Sequence, residues 1–278
     1  MREAFRDRVA IVTGGGSGIG RALCLQLAAR GAVVVVADLD LAAAEAVARE
    51  ATGAGGRAEA ARLDVTRAED VAALVADVAA RRGGLDLLFN NAGVGVLGEA
   101  RDLAVADWTR VLDVNLRGVV HGVAAAYPRM VAQGRGHLVN TASILGLLPA
   151  TPLMAPYAAS KHAVVSLSRT LRVEGAAHGV RVSVACPGFV RTPIHATMQV
   201  VGPRAPPRGL LGGISPEACA AGILRGVARD RAVIVVPGSA RALALLGRLA
   251  PGLAAWLAGR YLAKQRRALL PEGAPAGG

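Results

Sequence analysis

Short runs of hydrophobic residues alternate along this chain with longer stretches in which hydrophobic and polar positions follow a helical period. The runs predict seven strands, at 9–12, 33–36, 58–63, 85–89, 136–141, 180–185 and 232–236. The stretches between them predict helices at 21–30, 41–51, 68–81, 105–131 and 157–177, and one more that starts at Ser215. Because strands this apolar are buried on both faces, the pattern predicts an α/β fold, a doubly wound parallel sheet of about seven strands with helices on both faces.

The alternation continues without a linker, which predicts a single domain over residues 1–240. Residues 241–278 follow as an apolar, basic C-terminal extension. Within the domain, residues 194–214 interrupt the rhythm with three prolines and four glycines, so we expect a long loop there. Long loops in compact domains commonly act as lids or binding elements.

The amino-acid composition excludes a disordered protein and bears on whether the protein binds nucleic acid or a membrane. Of the 278 residues, 53% are hydrophobic and 19% charged, which excludes intrinsic disorder. The formal net charge of +12 is compatible with a nucleic-acid or anionic membrane partner. However, 30 of the 32 basic residues are Arg in a chain also rich in Ala and Gly, which indicates a compositional bias. We therefore favour a solvated basic surface and expect no nucleic-acid partner.

The remaining reactive residue types predict neither disulfides nor a metal site. Cys24, Cys186 and Cys219 are too few and too scattered for a disulfide framework, so we expect them to be small buried residues. The five histidines show no metal-ligand spacing. The N-terminal residues lack the long apolar run of a signal peptide, and we expect a soluble, cytoplasmic protein.

A glycine-rich turn follows the first strand and opens the first helix. Its glycines are Gly14, Gly18 and Gly20, and Ser17 and Ile19 lie among them. Such a turn directs backbone N–H groups and the positive helix end at a ligand, and glycine lets a pyrophosphate approach the backbone. After the first strand of an alternating fold, this turn predicts a Rossmann-type dinucleotide site.

Asp38 ends the second strand, about 20 residues after the turn. A carboxylate at this position accepts hydrogen bonds from the ribose hydroxyls of the adenosine half and repels a 2′-phosphate. No Arg lies among the next ten residues to neutralise such a phosphate. We therefore predict that the cofactor is NAD and not NADP. The nearby Asp40 is interpreted as a helix cap.

Tyr157 and Lys161 are four residues apart on a predicted helix and so share one face. Lys161 is one of two lysines in an Arg-rich chain, which indicates a role that the broad Arg guanidinium cannot fill. A nearby cation favours tyrosinate, so we expect Lys161 to lower the pKa of Tyr157. The pair predicts a general acid/base at Tyr157.

The ordered set of motifs resembles the classical short-chain dehydrogenase/reductase family over about residues 7–240. The motifs that carry the resemblance are Thr13-Gly-x-x-x-Gly-x-Gly20, Asn90-Asn91-Ala92-Gly93, Asn115, Ser143, Tyr157-x-x-x-Lys161 and Pro187-Gly188. The resemblance implies that Tyr157 is the catalytic acid/base and that Lys161 lowers its pKa and binds the nicotinamide ribose. It further implies that Ser143 orients the substrate oxygen and that Asn115 holds a water of the proton relay.

The same resemblance implies further contacts with the cofactor. Asp64 and Val65 resemble the adenine contact, and Asn91-Ala92-Gly93 resembles the turn that borders the cofactor. The family segment that contacts the carboxamide of the nicotinamide matches Pro187, Gly188, Val190 and Thr192 in this sequence. Family members are commonly dimers or tetramers, so the resemblance also implies a homodimer or homotetramer.

The function that we expect is NAD-dependent interconversion of a secondary alcohol and a ketone. Residues 145–155, the 194–214 loop and the extension are rich in apolar residues, which favours an apolar substrate. Two alternatives stay open: a non-catalytic NAD-binding sensor, and a protein that binds a membrane surface through its basic tail.

The extension has its own pattern. Residues 242–263 are rich in leucine, and Gly247, Pro251 and Gly252 are expected to break the helix midway. With 11 uncharged residues between Arg248 and Arg260, the segment is too short and too charged to span a bilayer. We expect a second subunit, the protein's own substrate-binding cleft or a membrane surface to cover it.

Overall fold

A computed structural model of the chain describes residues 3–192, 198–202 and 213–267, with the side chains of 264–267 excepted. Its main sheet has seven strands, which are β1 (Val9–Thr13), β2 (Val33–Asp38), β3 (Arg57–Arg62), β4 (Leu87–Asn90), β6 (Gly136–Thr141), β7 (Val180–Pro187) and β9 (Val233–Val236). Their order across the sheet is β3-β2-β1-β4-β6-β7-β9, and all neighbouring strands are parallel. The predicted fold class is confirmed.

Helices cover both faces of this sheet. They are α1 (Gly18–Ala28), α2 (Leu41–Gly53), α3 (Ala68–Arg82), α4 (Val105–Leu112), α5 (Gly118–Gln133), α6 (Ala155–Ala176), α7 (Pro216–Ala228), α8 (Ala240–Leu249) and α9 (Pro251–Arg267). On one face, α1, α2 and α7 bury residues such as Leu27 and Ile223. On the other face, α3, α5 and α6 bury residues such as Val75 and Met130. Because both faces are covered, the inner strands are continuous apolar runs.

Strand order reverses direction between β1 and β4, since β2 and β3 lie on one side of β1 and the later strands on the other. At such a switch point the loops at the carboxyl ends of the strands diverge and leave a crevice. The glycine turn after β1 and the Asn91 turn after β4 therefore lie at the position where open parallel sheets bind ligands.

The predicted helix at 105–131 differs from the observed one in its middle. Helix α4 runs into a π-helical turn, Asp113–Arg117, before α5 begins at Gly118. The turn contains the fully buried Asn115. π-Turns inserted in helices are frequent at functional sites, and hydrophobic periodicity does not register one extra residue.

A small second sheet was not predicted. Strand β5 (Val96–Leu97) pairs in parallel with β8 (Gln199–Val200), which joins the loop after β4 to the segment after β7. The expected long loop at 194–214 therefore contains a short strand, and the bridge between Val190 and Ile214 closes its base. The rest of that loop, at 194–197 and 203–212, lies outside the described residues.

The C-terminal extension forms two helices, as the breaking residues predict, but the break falls at Ala250. Gly247 lies inside α8, and Gly252 lies in the first turn of α9. The two helices meet at 114°. Among the described residues no single helix is long and apolar enough to cross a bilayer, whereas this bent pair together meets that length and composition.

The three cysteines are free and buried, as predicted.

Candidate active site

One cleft opens at the carboxyl ends of the strands, with a volume of about 1620 Å³. All of the residues predicted from the sequence to bind the cofactor line it, as do Ser143, Tyr157 and Lys161. Asn115 is the exception, because it is buried behind the wall. The volume exceeds that of a drug-sized ligand pocket, so the cleft has room for a cofactor and a substrate together.

The glycine turn forms one end of the cleft. Gly14 and Gly18 have φ angles of 63° and 51°, in the left-handed region that glycine adopts without strain. Ser17 is the N-cap of α1, and its side chain makes no capping hydrogen bond within the described structure. A Cβ on Gly20 would overlap the carbonyl oxygen of Gly14, so the turn closes tightly upon the helix. The free N–H groups of α1 and the Ser17 hydroxyl are donors suited to a pyrophosphate.

Thr13 and Asn91 fix the glycine turn to the neighbouring turn. Thr13 Oγ1 accepts hydrogen bonds from the backbone N–H groups of Asn91 and Ala92, at 2.9 and 3.1 Å. Asn91 Nδ2 in turn donates to the Thr13 carbonyl, at 3.1 Å. A Cβ on Gly14 would lie 2.8 Å from Ala92 Cα, so glycine is needed for this close approach. The ends of β1 and β4 are therefore held as one rigid floor.

Asp38 lies at the end of β2 and faces the cleft. Its Oδ2 accepts a hydrogen bond from the Gly16 N–H at 2.8 Å, and its Oδ1 accepts one from the Asp40 N–H at 3.1 Å. A carboxylate has about four acceptor positions, so two backbone bonds orient it and leave acceptors for a ligand. Asp40 caps α2 through the Ala43 N–H, as predicted.

The predicted adenine contacts lie at the end of β3. Asp64 accepts hydrogen bonds from the backbone and hydroxyl of Thr66, and these bonds lower the pKa of its carboxyl group. The carbonyl oxygen of Val65 lies 2.9 Å from His121 Nδ1 on α5. His121 thus has a positioning contact that histidine spacing did not indicate.

Tyr157 and Lys161 lie one turn apart on α6, as their spacing predicts. Lys161 Nζ is 5.5 Å from the centre of the Tyr157 ring and donates a hydrogen bond to the Thr141 carbonyl at 2.9 Å. Ser143 follows β6 and caps a short 3₁₀ turn, in which its hydroxyl accepts from the Leu145 N–H. The three side chains therefore converge from α6 and the end of β6.

Burial shifts the pKa values of Tyr157 and Lys161. It raises the pKa of Tyr157, and a hydrogen bond with Ser143 acts in the opposite direction. Burial also lowers the pKa of Lys161 to about 8. We expected Lys161 to lower the Tyr157 pKa, but the direction here is the opposite one. The reason is that desolvation penalises both charged forms, and the hydrogen bond described for the ammonium group goes to the Thr141 carbonyl and not to the phenol.

Asn115 connects two walls of the site. Its side chain forms a paired contact with the backbone of Val94, at 2.8 and 2.9 Å, and Nδ2 also reaches Ser160 Oγ at 3.3 Å. Ser160 Oγ donates to the Tyr157 carbonyl at 2.7 Å. The water-holding role that the resemblance implies for Asn115 stays a prediction, and the described contacts of its side chain link Val94 to Ser160. Ser160 was missed, since a serine within a helix carries no signal of its own.

A buried chain of polar groups beneath the site was also missed. Asn90 Nδ2 donates to Asn140 Oδ1 at 2.8 Å, and Asn140 Nδ2 donates to Ser168 Oγ at 3.0 Å. These bonds cross from β4 through β6 to α6. They hold β6, the strand that Ser143 follows, against the helix that carries Tyr157.

The other end of the cleft is apolar. Of the described residues that line it, none is charged; among them are Val94, Leu97, Ile144, Leu145, Leu148, Leu153, Met154, Phe189, Met198 and Ile214. The extension contributes Leu243 from α8 and Ala258 and Tyr261 from α9. The extension therefore covers part of the cleft, one of the arrangements expected from its sequence.

A family model for short chain dehydrogenases matches residues 8–200. The chain belongs to this family. Two relatives are a cyclohexanol dehydrogenase of Acinetobacter sp. (strain SE19), 38% identical over 200 residues, and a cis-4-hydroxycyclohexanecarboxylate dehydrogenase of Sinomonas cyclohexanicum, 43% identical over 197 residues. These alignments cover 72% and 70% of this chain and 79% and 78% of the relatives.

A solved short-chain dehydrogenase/reductase from Burkholderia phymatum, in complex with NAD, superimposes with a TM-score of 0.78. It is 34% identical, and the match covers 87% of this chain and 93% of that one. As a short-chain dehydrogenase, the protein is an oxidoreductase of alcohols and ketones that works with a nicotinamide cofactor.

Proposed function

We propose that the protein is an NAD-dependent dehydrogenase that interconverts a secondary alcohol and a ketone on an apolar, uncharged substrate. The observation that carries the proposal is the arrangement of the cleft. Tyr157, Lys161 and Ser143 lie between a glycine turn with Asp38 on one side and an uncharged apolar lining on the other.

The residues at the glycine turn fit a dinucleotide. The turn offers backbone N–H groups at the start of α1 and a Ser17 hydroxyl that no capping bond uses in the described structure. Asp38 is oriented by two backbone bonds and adds a negative charge where a 2′-phosphate would lie. These features support NAD over NADP, and the similar B. phymatum structure holds NAD.

In the mechanism that we infer, the protein supplies proton transfer and orientation. A bound nicotinamide cofactor would supply the hydride acceptor for oxidation of the alcohol and the hydride donor for reduction of the ketone. Tyr157 takes the hydroxyl proton during oxidation and gives it back during reduction. Ser143 Oγ binds the substrate oxygen and keeps it within reach of the phenol. Lys161, while protonated, favours the tyrosinate that oxidation requires.

The lining supports a neutral alicyclic or similarly apolar alcohol. Both relatives named above act on cyclohexane-ring alcohols, and one of those substrates carries a carboxylate. The described apolar end offers no cation to pair with a carboxylate, and an unpaired charge is costly to bury. Cyclohexanol and larger neutral alcohols are therefore expected to have a higher kcat/KM than hydroxycyclohexanecarboxylate. The comparison is made by following NADH absorbance at equal substrate concentrations.

Tyr157→Phe tests the catalytic assignment. The substitution keeps the ring and its packing but removes the hydroxyl, so turnover should fall by at least about a thousandfold while NAD affinity stays within about twofold. NADH formation and an NAD titration are measured on the same preparation. Turnover within tenfold of the wild type would contradict the acid/base role. Unmodified protein that binds NAD but turns over none of a panel of alcohols would favour the sensor alternative.

Asp38→Ser tests the cofactor preference. Loss of charge-assisted ribose bonds, worth about 1.5–3 kcal/mol, should weaken NAD binding by roughly 10- to 100-fold, and the lost repulsion should improve NADP binding. Asp40→Ala is the matched control, because it removes a neighbouring carboxylate and costs the α2 cap about 1 kcal/mol without reaching the cleft. Wild-type protein that already prefers NADP would show the ribose role to be wrong.

A further inference from the structure

The outward side of the extension carries a concentration of exposed apolar side chains. In α8, Leu245 and Leu249 lie one turn apart, and Leu249 is 73% exposed. In α9, Leu253, Trp256 and Leu257 share one face at helical spacing, and Trp256 is 54% exposed. Large apolar side chains that are exposed in a group, and not singly, commonly mark an interaction site.

The extension also contacts the rest of the protein on its other side. Gly247 is buried against the loop after β6, where an added Cβ would lie 2.9 Å from Pro149 Cδ. Leu243, Ala258 and Tyr261 line the cleft from the inward side. The helix pair therefore has one side on the cleft and an opposite apolar side facing outward.

The charges of the extension identify the surface that fits it. Residues 240–267 contain six basic residues and no Asp or Glu; the basic residues are Arg241, Arg248, Arg260, Lys264, Arg266 and Arg267. The Arg260 guanidinium lies 4.9 Å from the centre of the Trp256 ring, so cation and aromatic ring are presented together. Leucines and a tryptophan on one face of a segment that carries basic residues and no acidic ones are the composition of a helix that lies in the headgroup region of an anionic bilayer.

The geometry of the two helices argues against a membrane-spanning segment, and their charge argues against a contact with a second copy of the chain. The helices have 10 and 17 residues and meet at 114°, so each is shorter than the roughly 30 Å hydrocarbon layer, and neither continues the other. A two-fold contact centred on this basic, acid-free segment would place it against its own copy, and like charges facing each other oppose association.

We propose that α8 and α9 form a docking surface for an anionic lipid bilayer, with Leu245, Leu249, Leu253, Trp256 and Leu257 inserted at the acyl boundary. The docking does not depend on the proposed reaction. Because the inward side of the same pair lines the cleft, docking brings the apolar end of the cleft close to the lipid. An apolar substrate then enters from the bilayer, a consequence that does rest on the proposed function.

Vesicle binding of the full chain tests the docking surface. The wild type is expected to co-sediment with vesicles of phosphatidylglycerol and phosphatidylcholine, to bind pure phosphatidylcholine much more weakly, and to be released by added salt. In the variant Trp108→Phe, which leaves Trp256 as the one tryptophan, emission should shift to the blue on binding. Absence of binding to the anionic vesicles would overturn the proposal.

Two pairs of substitutions separate the surface from general charge effects. Leu249→Glu with Leu253→Glu should weaken binding to anionic vesicles by about tenfold or more, since apolar contact is lost and negative charge is added. Val105→Glu with Val173→Glu is the matched control, because these residues are 81% and 78% exposed on α4 and α6, and it should bind within about twofold of the wild type.

An equal loss in both pairs would overturn the proposal. Light scattering without vesicles measures the oligomer mass of each variant and so tests whether a second copy of the chain covers this face. If the Leu249 and Leu253 pair changes the oligomer mass and leaves vesicle binding unchanged, a second copy covers this face and the bilayer is excluded. Arg248→Gln with Arg260→Gln provides an independent check, because it should reduce the salt sensitivity of binding while keeping the leucines.

Discussion

Thr13→Val removes the hydroxyl that joins the glycine turn to the Asn91 turn while keeping the size of the side chain. Thr13 is buried, and its Oγ1 accepts from two backbone N–H groups, at 2.9 and 3.1 Å. Each donor left without a partner costs about 1–3 kcal/mol, and both bonds are part-buried, so the expected loss is about 2–4 kcal/mol. Thr13→Ser keeps the acceptor and loses one buried methyl group, at about 1 kcal/mol.

Urea unfolding at a fixed protein concentration measures both variants, since any self-association would make the result concentration-dependent. The valine variant should have the lower midpoint with an unchanged slope. It should also bind NAD more weakly than the serine variant, because the Asn91-Ala92-Gly93 turn borders the cleft. If Thr13→Val is as stable as Thr13→Ser or more stable, the hydroxyl does not hold the two turns together and the reasoning fails.

Two further predictions concern the same site. Gly20→Ala places a Cβ against the Gly14 carbonyl oxygen, so we expect destabilisation by about 3 kcal/mol and loss of NAD binding; an unchanged urea midpoint would contradict this. Lys161 has a pKa of about 8 when folded, below the value of about 10.4 for an unfolded Lys, so between these pH values the unfolded chain binds more protons. The unfolding free energy of the wild type should therefore rise with pH across this window relative to that of Lys161→Met. If the unfolding free energies of the two proteins instead change with pH in parallel, burial does not shift the pKa of Lys161.

Much of the fold follows from local sequence pattern, because each strand is an apolar run and each helix has its own period. The Val33–Asp38 strand is one example, since its run of consecutive valines indicates burial on both faces. The helix that starts at Ser215 is another, since the serine cap stands directly before the helix. The β5–β8 pairing is different. It joins Val96 to Gln199 across more than one hundred residues, and two-residue strands have no period to detect.

The candidate site was predictable where chemistry depends on spacing along one element. Tyr157 and Lys161 share a helix face, and the glycine turn occupies consecutive positions, so both could be located from the sequence. The contacts of Asn115 with Val94 and Ser160 could not, because they depend on a π-turn and on the packing of three separate segments.

The titration of the site shows most directly what tertiary structure adds. From the sequence, Lys161 is a cation next to a phenol, and Coulomb's law alone lowers the Tyr157 pKa. Folding buries Lys161 and half-buries Tyr157 in the cleft wall, and desolvation of the charged form is the largest cause of both pKa shifts. A group that binds at the cleft and bonds to the Lys161 ammonium would favour its charged form, and a charged Lys161 in turn favours tyrosinate. Under the proposed mechanism, we therefore expect the acid/base strength of Tyr157 to depend on what is bound in the cleft, whereas the Tyr-x-x-x-Lys spacing determines only how the two side chains are arranged.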